Sequence, residues 1–173
     1  GNILNQAQLV IPDGIGVVIA SKFYGTPLEE RVTGVDLTDK MLELSALKGK
    51  RVFILGAEQQ VVETAAEKII EKYAGSTIAG FRNGYFSPDE EAEIVQQIKD
   101  SQADVLLVAL GAPKQEKFIY KHRDSLGVKV AIGIGGGVDI IAGKTPRAPE
   151  FYQKAGLEWL YRLLKQPSRI KRM

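Results

Sequence analysis

The sequence contains no cysteine and a single histidine in 173 residues. Without cysteine there is no thiol nucleophile, thiolate metal site or disulfide, which is compatible with a reducing compartment. One histidine cannot form a cluster or an HExxH pair, and no DxD pattern occurs, so metal catalysis lacks ligands and a metal site is not expected. That histidine, His122, lies in Lys121-His122-Arg123-Asp124 and reads as a solvated helix residue. A GxSxG elbow that could give it a serine partner is missing. Also missing are a GxxxxGK[ST] loop and, at Gly56-Ala57-Glu58, the glycine spacing of a dinucleotide fingerprint, which argues against P-loop NTPases and Rossmann oxidoreductases. No apolar run approaches the roughly 20 residues needed to span a bilayer, and the first residues lack the basic-then-apolar order of a signal peptide. The chain is therefore expected not to be integral to a membrane.

What is present is ordinary for a soluble globular domain: 45% hydrophobic and 25% charged residues, enough to bury roughly two-thirds of the unfolded surface. Charge is uneven. Arg162, Lys165, Arg169, Lys171 and Arg172 crowd the last twelve residues without an acid, and the remainder carries 18 basic against 21 acidic residues. A mildly acidic body with a cationic tail points to a polyanionic surface. An anionic membrane fits better than nucleic acid, because the body shows no basic stripe interleaved with stacking aromatics.

Apolar runs alternate with amphipathic segments, which predicts an α/β fold with a mostly parallel sheet flanked by helices. The strand candidates are residues 16–20, 51–55, 76–80, 104–110 and 129–134, each rich in Val, Ile or Leu, as strands covered on both faces must be. Asp36 and Asp39 resemble a capping pair, and Ser87-Pro88-Asp89-Glu90 reads as a capping box with proline in the first turn. Val62, Ala65, Ala66, Ile69 and Ile70, and again Ala92, Val95 and Ile98, recur at helical spacing and read as core stripes. A third stripe, Leu157, Leu160, Leu163 and Leu164, ends near Pro167.

In open parallel sheets, ligands bind beyond the carboxyl ends of the strands. Gly133 to Asp139 follows a strand. Its glycines permit close approach of a phosphate to backbone amides, or simply form a tight turn, while Asp139 could meet a ribose or base, or cap a helix. In Gly111-Ala112-Pro113-Lys114-Gln115, proline opens a helix and Gln115 falls in its first turn, on the rim of a cleft or on a solvated face. In Ile11-Pro12-Asp13-Gly14, Asp13 is either turn chemistry or a general base. Arg31 and Asp36, in Glu30-Arg31-Val32-Thr33-Gly34-Val35-Asp36, could join the same site, Arg31 as a phosphate clamp or a surface ion-pair partner.

Taken together, IPDGIGVV, ERVTGVDL, GYFSPDEE, VALGAPKQEKFI, GIGGGVDIIAGKTPRAP and GLEWLYRLLKQPSRIKR resemble the WecG/TagA/CpsF family of bacterial glycosyltransferases, family 26, over essentially the whole chain. The resemblance implies a Rossmann-like catalytic body over residues 1–148 and a basic helical appendage over 149–173. Family members usually begin some tens of residues earlier, so an N-terminal segment is expected to be missing.

The implied activity is inverting, metal-independent transfer of an N-acetylhexosamine from a UDP donor to a lipid-diphosphate-linked sugar, without a cofactor. In the TagA branch, UDP-N-acetylmannosamine donates to undecaprenyl-diphosphate N-acetylglucosamine in wall teichoic acid synthesis, at the cytoplasmic face of the membrane. The resemblance makes Asp13 the base and Arg31 and Gln115 substrate contacts. Tyr85 and Asp139 become nucleotide contacts, with backbone amides at Gly135 and Gly136 available to the diphosphate. Arg162, Arg169 and Arg172 become membrane or lipid-diphosphate contacts. On one continuous helix, Arg162, Lys165, Arg169 and Arg172 would share a face, but Pro167 interrupts it. A non-catalytic nucleotide-sugar or membrane-surface binding module, a related transferase with another UDP-sugar donor, and a homo-oligomer remain open.

Overall fold

In the computed structural model, which describes residues 2–165 and all their side chains except those of Asn2, Lys154, Trp159, Arg162 and Lys165, four of the five apolar runs are strands. These are β1 (Arg51–Gly56), β2 (Thr77–Arg82), β3 (Val105–Ala109) and β4 (Val130–Gly133). All pair in parallel in the order β2-β1-β3-β4. The described helices are α1 (Asn2–Asn5), α2 (Ile15–Phe23), α3 (Gly34–Leu47), α4 (Gln59–Lys72), α5 (Glu91–Asp100), α6 (Lys114–His122), α7 (Gly137–Ile141), α8 (Glu150–Lys154) and α9 (Glu158–Lys165). The α/β expectation is met.

The chain forms two compact units, one joining residues 1–10 to 34–145 and the other joining 11–33 to the segment from 146 onward. The first holds the sheet. Alternation along β1 and β3 sends Val52, Ile54, Val105 and Leu107 to one face and Phe53, Leu55, Leu106 and Val108 to the other. The first face is covered by Leu42 of α3, by Val61, Val62, Ala65, Ala66 and Ile69 of α4, and by Val138 of α7. The second is covered by Ile94, Val95 and Ile98 of α5, and by Phe118 of α6. Burial of each large side chain contributes about 1.5–3 kcal/mol, so the two-sided packing of β1 and β3 dominates the stability of this unit.

Several local expectations are corrected. Residues 16–20 lie in α2, not in a strand. A short run of β-branched residues does not by itself distinguish the two, and here Ile15, Val18 and Ser21 form the more covered side while Val17 and Ile19 are exposed. Strand β2 runs beyond Gly80, which pairs with Phe53 beside a register irregularity and where a Cβ would lie 2.7 Å from Cε2 of Phe53. Helix α3 begins at Gly34, which puts Asp36 inside the first turn, favourably placed against the helix dipole. Asp39 does not cap it; its carboxylate accepts from Tyr73 Oη and Lys72 Nζ. Ile70 and Ala92 are exposed. The capping box at Ser87 is present, with the Ser87 amide donating to Glu90 Oε2 at 2.8 Å, and it opens a short 3₁₀ turn that leads into α5.

In the second unit, Gly156 separates α8 from α9. It has φ +70°, and a Cβ there would lie 2.7 Å from Cγ1 of Ile15. The α8–α9 turn thus packs directly on the first residue of α2. Of the expected basic appendage, Arg162 contributes its backbone to α9, and Arg169 and Arg172 lie outside the described residues. Among the described residues no helix is long and apolar enough to cross a membrane.

Candidate functional site

The carboxyl edge of the sheet is built largely from backbone. Gly56 closes β1 at φ +133°, and a Cβ there would fall 2.4 Å from the carbonyl carbon and oxygen of Ala109, so only glycine fits. The next amide, Ala57, donates to the Ala109 carbonyl at 3.2 Å, and Gly84 donates to the Ala57 carbonyl at 2.9 Å. The ends of β1, β2 and β3 are thereby laced together. Asn83 Oδ1 accepts from the Tyr85 amide at 3.0 Å, an Asx turn that presents Tyr85, 72% exposed.

Gln115 is buried, not solvated. It lies in the first turn of α6 across the end of β4, where its Oε1 accepts from the Gly135 amide at 3.0 Å and its Nε2 donates to Glu116 Oε1 at 2.9 Å. A Cβ on Gly133 would come within 2.5 Å of Gln115 Nε2, and Gly135 has φ +46°. The GAPKQE and GIGGGVD segments are therefore one physical unit, in which the glycines make room for the amide side chain and the side chain fixes the glycine loop. The Gly135 amide is engaged by Gln115, and that of Gly137 by the Ile134 carbonyl at 2.8 Å. Gly136 precedes α7, and Asp139 is half-buried within it.

Lys144 ties this edge to the loop after β1, with Nζ 2.8 Å from Glu58 Oε2. That hydrogen bond, followed by the charges of Glu58 and Asp139 and the nearby Tyr85 phenol, holds its ammonium group above the usual range. Its electrostatic surroundings thus include both expected nucleotide contacts, a feature with no motif to announce it. His122 departs from expectation. Its side chain is 14% exposed, stacks on Phe118 with ring centroids 5.0 Å apart and has Nε2 3.4 Å from Glu91 Oε2. The last turn of α6 faces α5 at this point, so His122 is a packing residue.

The second unit contains Asp13 and Arg31. Asp13 sits in a turn with its carboxylate 58% exposed. Arg31 is mostly covered and uses its donors in three directions: Nε to the Asp13 carbonyl at 2.6 Å, Nη1 to the Gln153 carbonyl at 3.4 Å, and Nη2 to Glu158 Oε2 at 2.6 Å. Its Nη2 is 3.6 Å from Asp13 Oδ1. The structure thus brings Asp13 and Arg31 together around Glu158, an acid in the GLEWLYRL segment that sequence reasoning gave no role. Asp36 belongs to the other unit, in α3. Among the described residues no three acidic or histidine side chains converge in a way that could hold a metal ion.

The family model described as "Glycosyl transferase WecG/TagA/CpsF family" matches residues 1–173. A protein of Bacillus spizizenii (strain ATCC 23059 / NRRL B-14472 / W23) is 42% identical over 171 residues. One from Bacillus subtilis (strain 168) is 37% identical over 172 residues, and one from Staphylococcus aureus (strain MW2) is 36% identical over 171. All three are named N-acetylglucosaminyldiphosphoundecaprenol N-acetyl-beta-D-mannosaminyltransferase, and the alignments cover 99% of this chain and 66% of each relative. The chain thus spans just under two thirds of the length of these relatives. With its whole length matched by the family model and its GYF, GAPKQE and GIGGGVD segments at the carboxyl edge of a parallel sheet, this chain belongs to the WecG/TagA/CpsF family of glycosyl transferases.

Proposed function

We propose that this chain carries the catalytic part of an inverting glycosyltransferase that moves N-acetylmannosamine from UDP-N-acetylmannosamine to undecaprenyl-diphosphate N-acetylglucosamine, an early step in making a cell-surface polymer of the wall teichoic acid type. The observation that carries this reading is the 42% identity, over 99% of the chain, to a relative named for that transfer. The carboxyl edge of the sheet supports it, since a wall of close backbone, an exposed Tyr85 ring and the half-buried Asp139 suit a nucleotide.

In this reading Asp13 Oδ accepts the proton from the acceptor hydroxyl as that oxygen attacks the anomeric carbon of the donor. The bond from that carbon to the diphosphate oxygen breaks, and UDP leaves with the electron pair. Amides near Gly136 answer the developing charge without a metal, and Arg31 is a further substrate contact. Gln115 shapes the loop that receives the donor, and Tyr85 and Asp139 contact the nucleoside. Arg162, Arg169 and Arg172 draw the enzyme to anionic lipid at the cytoplasmic face, where its acceptor resides.

Turnover of UDP-N-acetylmannosamine against UDP-N-acetylglucosamine, with a short-chain lipid-diphosphate N-acetylglucosamine acceptor and with EDTA present, tests the proposal. The N-acetylmannosamine donor is expected to be consumed, and Asp13→Asn to lower turnover about 100-fold with UDP affinity nearly unchanged. UDP binding with no turnover of either donor would instead make the chain a binding module. Activity abolished by EDTA and restored by Mg²⁺ would overturn the metal-free step.

A further inference from the structure

Glu158 occupies a position where an acid is costly. It is 3% exposed and opens α9, in a stretch of sequence that also holds Leu157, Leu160 and Leu163. A carboxylate so placed is retained only when a cation and hydrogen bonds compensate its lost hydration. Its Oε2 has such a partner in Arg31 Nη2 at 2.6 Å, while Oε1 is buried without a hydrogen bond among the described residues. Hydrophobic packing alone would be better served by leucine.

The geometry of the guanidinium shows what the acid achieves. Arg31 is held at one end by Glu158 and at the other by the Asp13 carbonyl, 2.6 Å from Nε. A planar fork fixed at two ends fixes the loop it grips. The same Nη2 stands 3.6 Å from the Asp13 carboxylate, too far for a hydrogen bond. Glu158 holds Nη2 on its own side of the guanidinium at 2.6 Å, and the Asp13 carboxylate, farther away at 3.6 Å, is 58% exposed.

We infer that Glu158 is a positioning residue: through Arg31 it fixes the Asp13 loop and keeps the guanidinium from capturing the Asp13 carboxylate. The inference rests on the reading of Asp13 as the base. Substitution of Glu158 releases Arg31 toward the Asp13 carboxylate, which then accepts a proton less readily.

The test uses Glu158→Gln, which keeps size and an acceptor oxygen but removes the charge. Its kcat is expected to fall about tenfold with the KM for UDP-N-acetylmannosamine within about twofold, a split that loose packing would not produce. In an Arg31→Gln background the same substitution should leave kcat unchanged. It should also raise the melting temperature of that background, because Arg31→Gln alone strands the buried acid. A second readout needs no substrate: exchange of the Arg31 Nε–H with water, followed by NMR and assigned by the loss of its signal in Arg31→Lys, should quicken in Glu158→Gln.

A parental kcat in Glu158→Gln, or a loss that adds fully to that of Arg31→Gln, would overturn the inference. If the parent chain itself fails to turn over, the transferase reading falls, and Arg31 Nε–H exchange still decides the inference: unchanged exchange overturns it, and faster exchange upholds the coupling of Glu158 to the Asp13 loop.

Discussion

The two ends of the parallel sheet both carry backbone links, from Asp104 N to the Arg51 carbonyl at one and from Ala57 N to the Ala109 carbonyl at the other, but they differ in the side chains added to them. At the amino edge, Asp104 precedes β3 and gathers charge: Lys129 Nζ at 2.5 Å, Lys50 Nζ at 3.9 Å and the Arg51 amide at 3.1 Å. The start of β1 and the approach to β4 are thereby pinned by side chains. At the carboxyl edge backbone links run through Ala57, Gly84 and Ala109, Gln115 is buried against the glycine loop, and one ion pair, Lys144 to Glu58, spans the loops. Stability is local and satisfied at the first edge. At the second, main chain packs closely on main chain, with no room for a Cβ on Gly56 and little for one on Gly84. In the proposed reading this close-packed edge, at the carboxyl ends of the strands, is where the nucleotide binds.

The strongest way to break the carboxyl edge is Gly56→Ala. Its Cβ meets Ala109 backbone at 2.4 Å, and alanine disfavours φ +133°. A loss of about 3 kcal/mol or more is expected in urea unfolding, from strain and overpacking together. A loss under about 1 kcal/mol would show that the edge can relax.

Gln115→Ala acts on the same edge more gently. It removes the acceptor of the Gly135 amide and frees the loop, so UDP affinity measured calorimetrically should drop about fivefold to tenfold. An unchanged affinity would separate the glycine loop from nucleotide binding.

The amino edge should respond in the opposite manner. Asp104→Asn is expected to lower the melting temperature slightly at neutral pH and to leave UDP affinity untouched. The Lys129 hydrogen bond first, then the Arg51 amide, hold the Asp104 carboxyl below its ordinary range. A carboxylate depressed in the folded state contributes stability that is complete above its unfolded pKa and disappears as pH falls through the lower folded value. The melting difference between parent and variant should therefore close on acidification below about pH 4. A gap that persisted there would assign the effect to packing rather than charge.

Much of this was legible in the sequence because two-sided burial leaves an unambiguous signature. Val52 to Leu55 and Val105 to Val108 must be apolar at every position, and they were read as strands. Residues 16–20 carry the same composition without that environment, and composition alone could not tell a half-exposed helix from a strand. Gly80 read as a strand end because the room it makes for the Phe53 ring comes from the neighbouring strand. Gln115 and the GGG loop were visible separately, but their hydrogen bond spans twenty residues of sequence and had no local trace. Glu158 was the most hidden. A lone acid beside leucines has no motif, and its partner Arg31 lies 127 residues away.

One measurement bears most directly on the contrast between the edges. When UDP is titrated into the ¹⁵N-labelled chain, amide shifts should concentrate at Ala57, Tyr85 and Gly135 to Asp139, while Arg51, Asp104 and Lys129 stay still. Shifts concentrated at the amino edge, or none at saturating UDP, would contradict the assignment of the carboxyl edge as the nucleotide site.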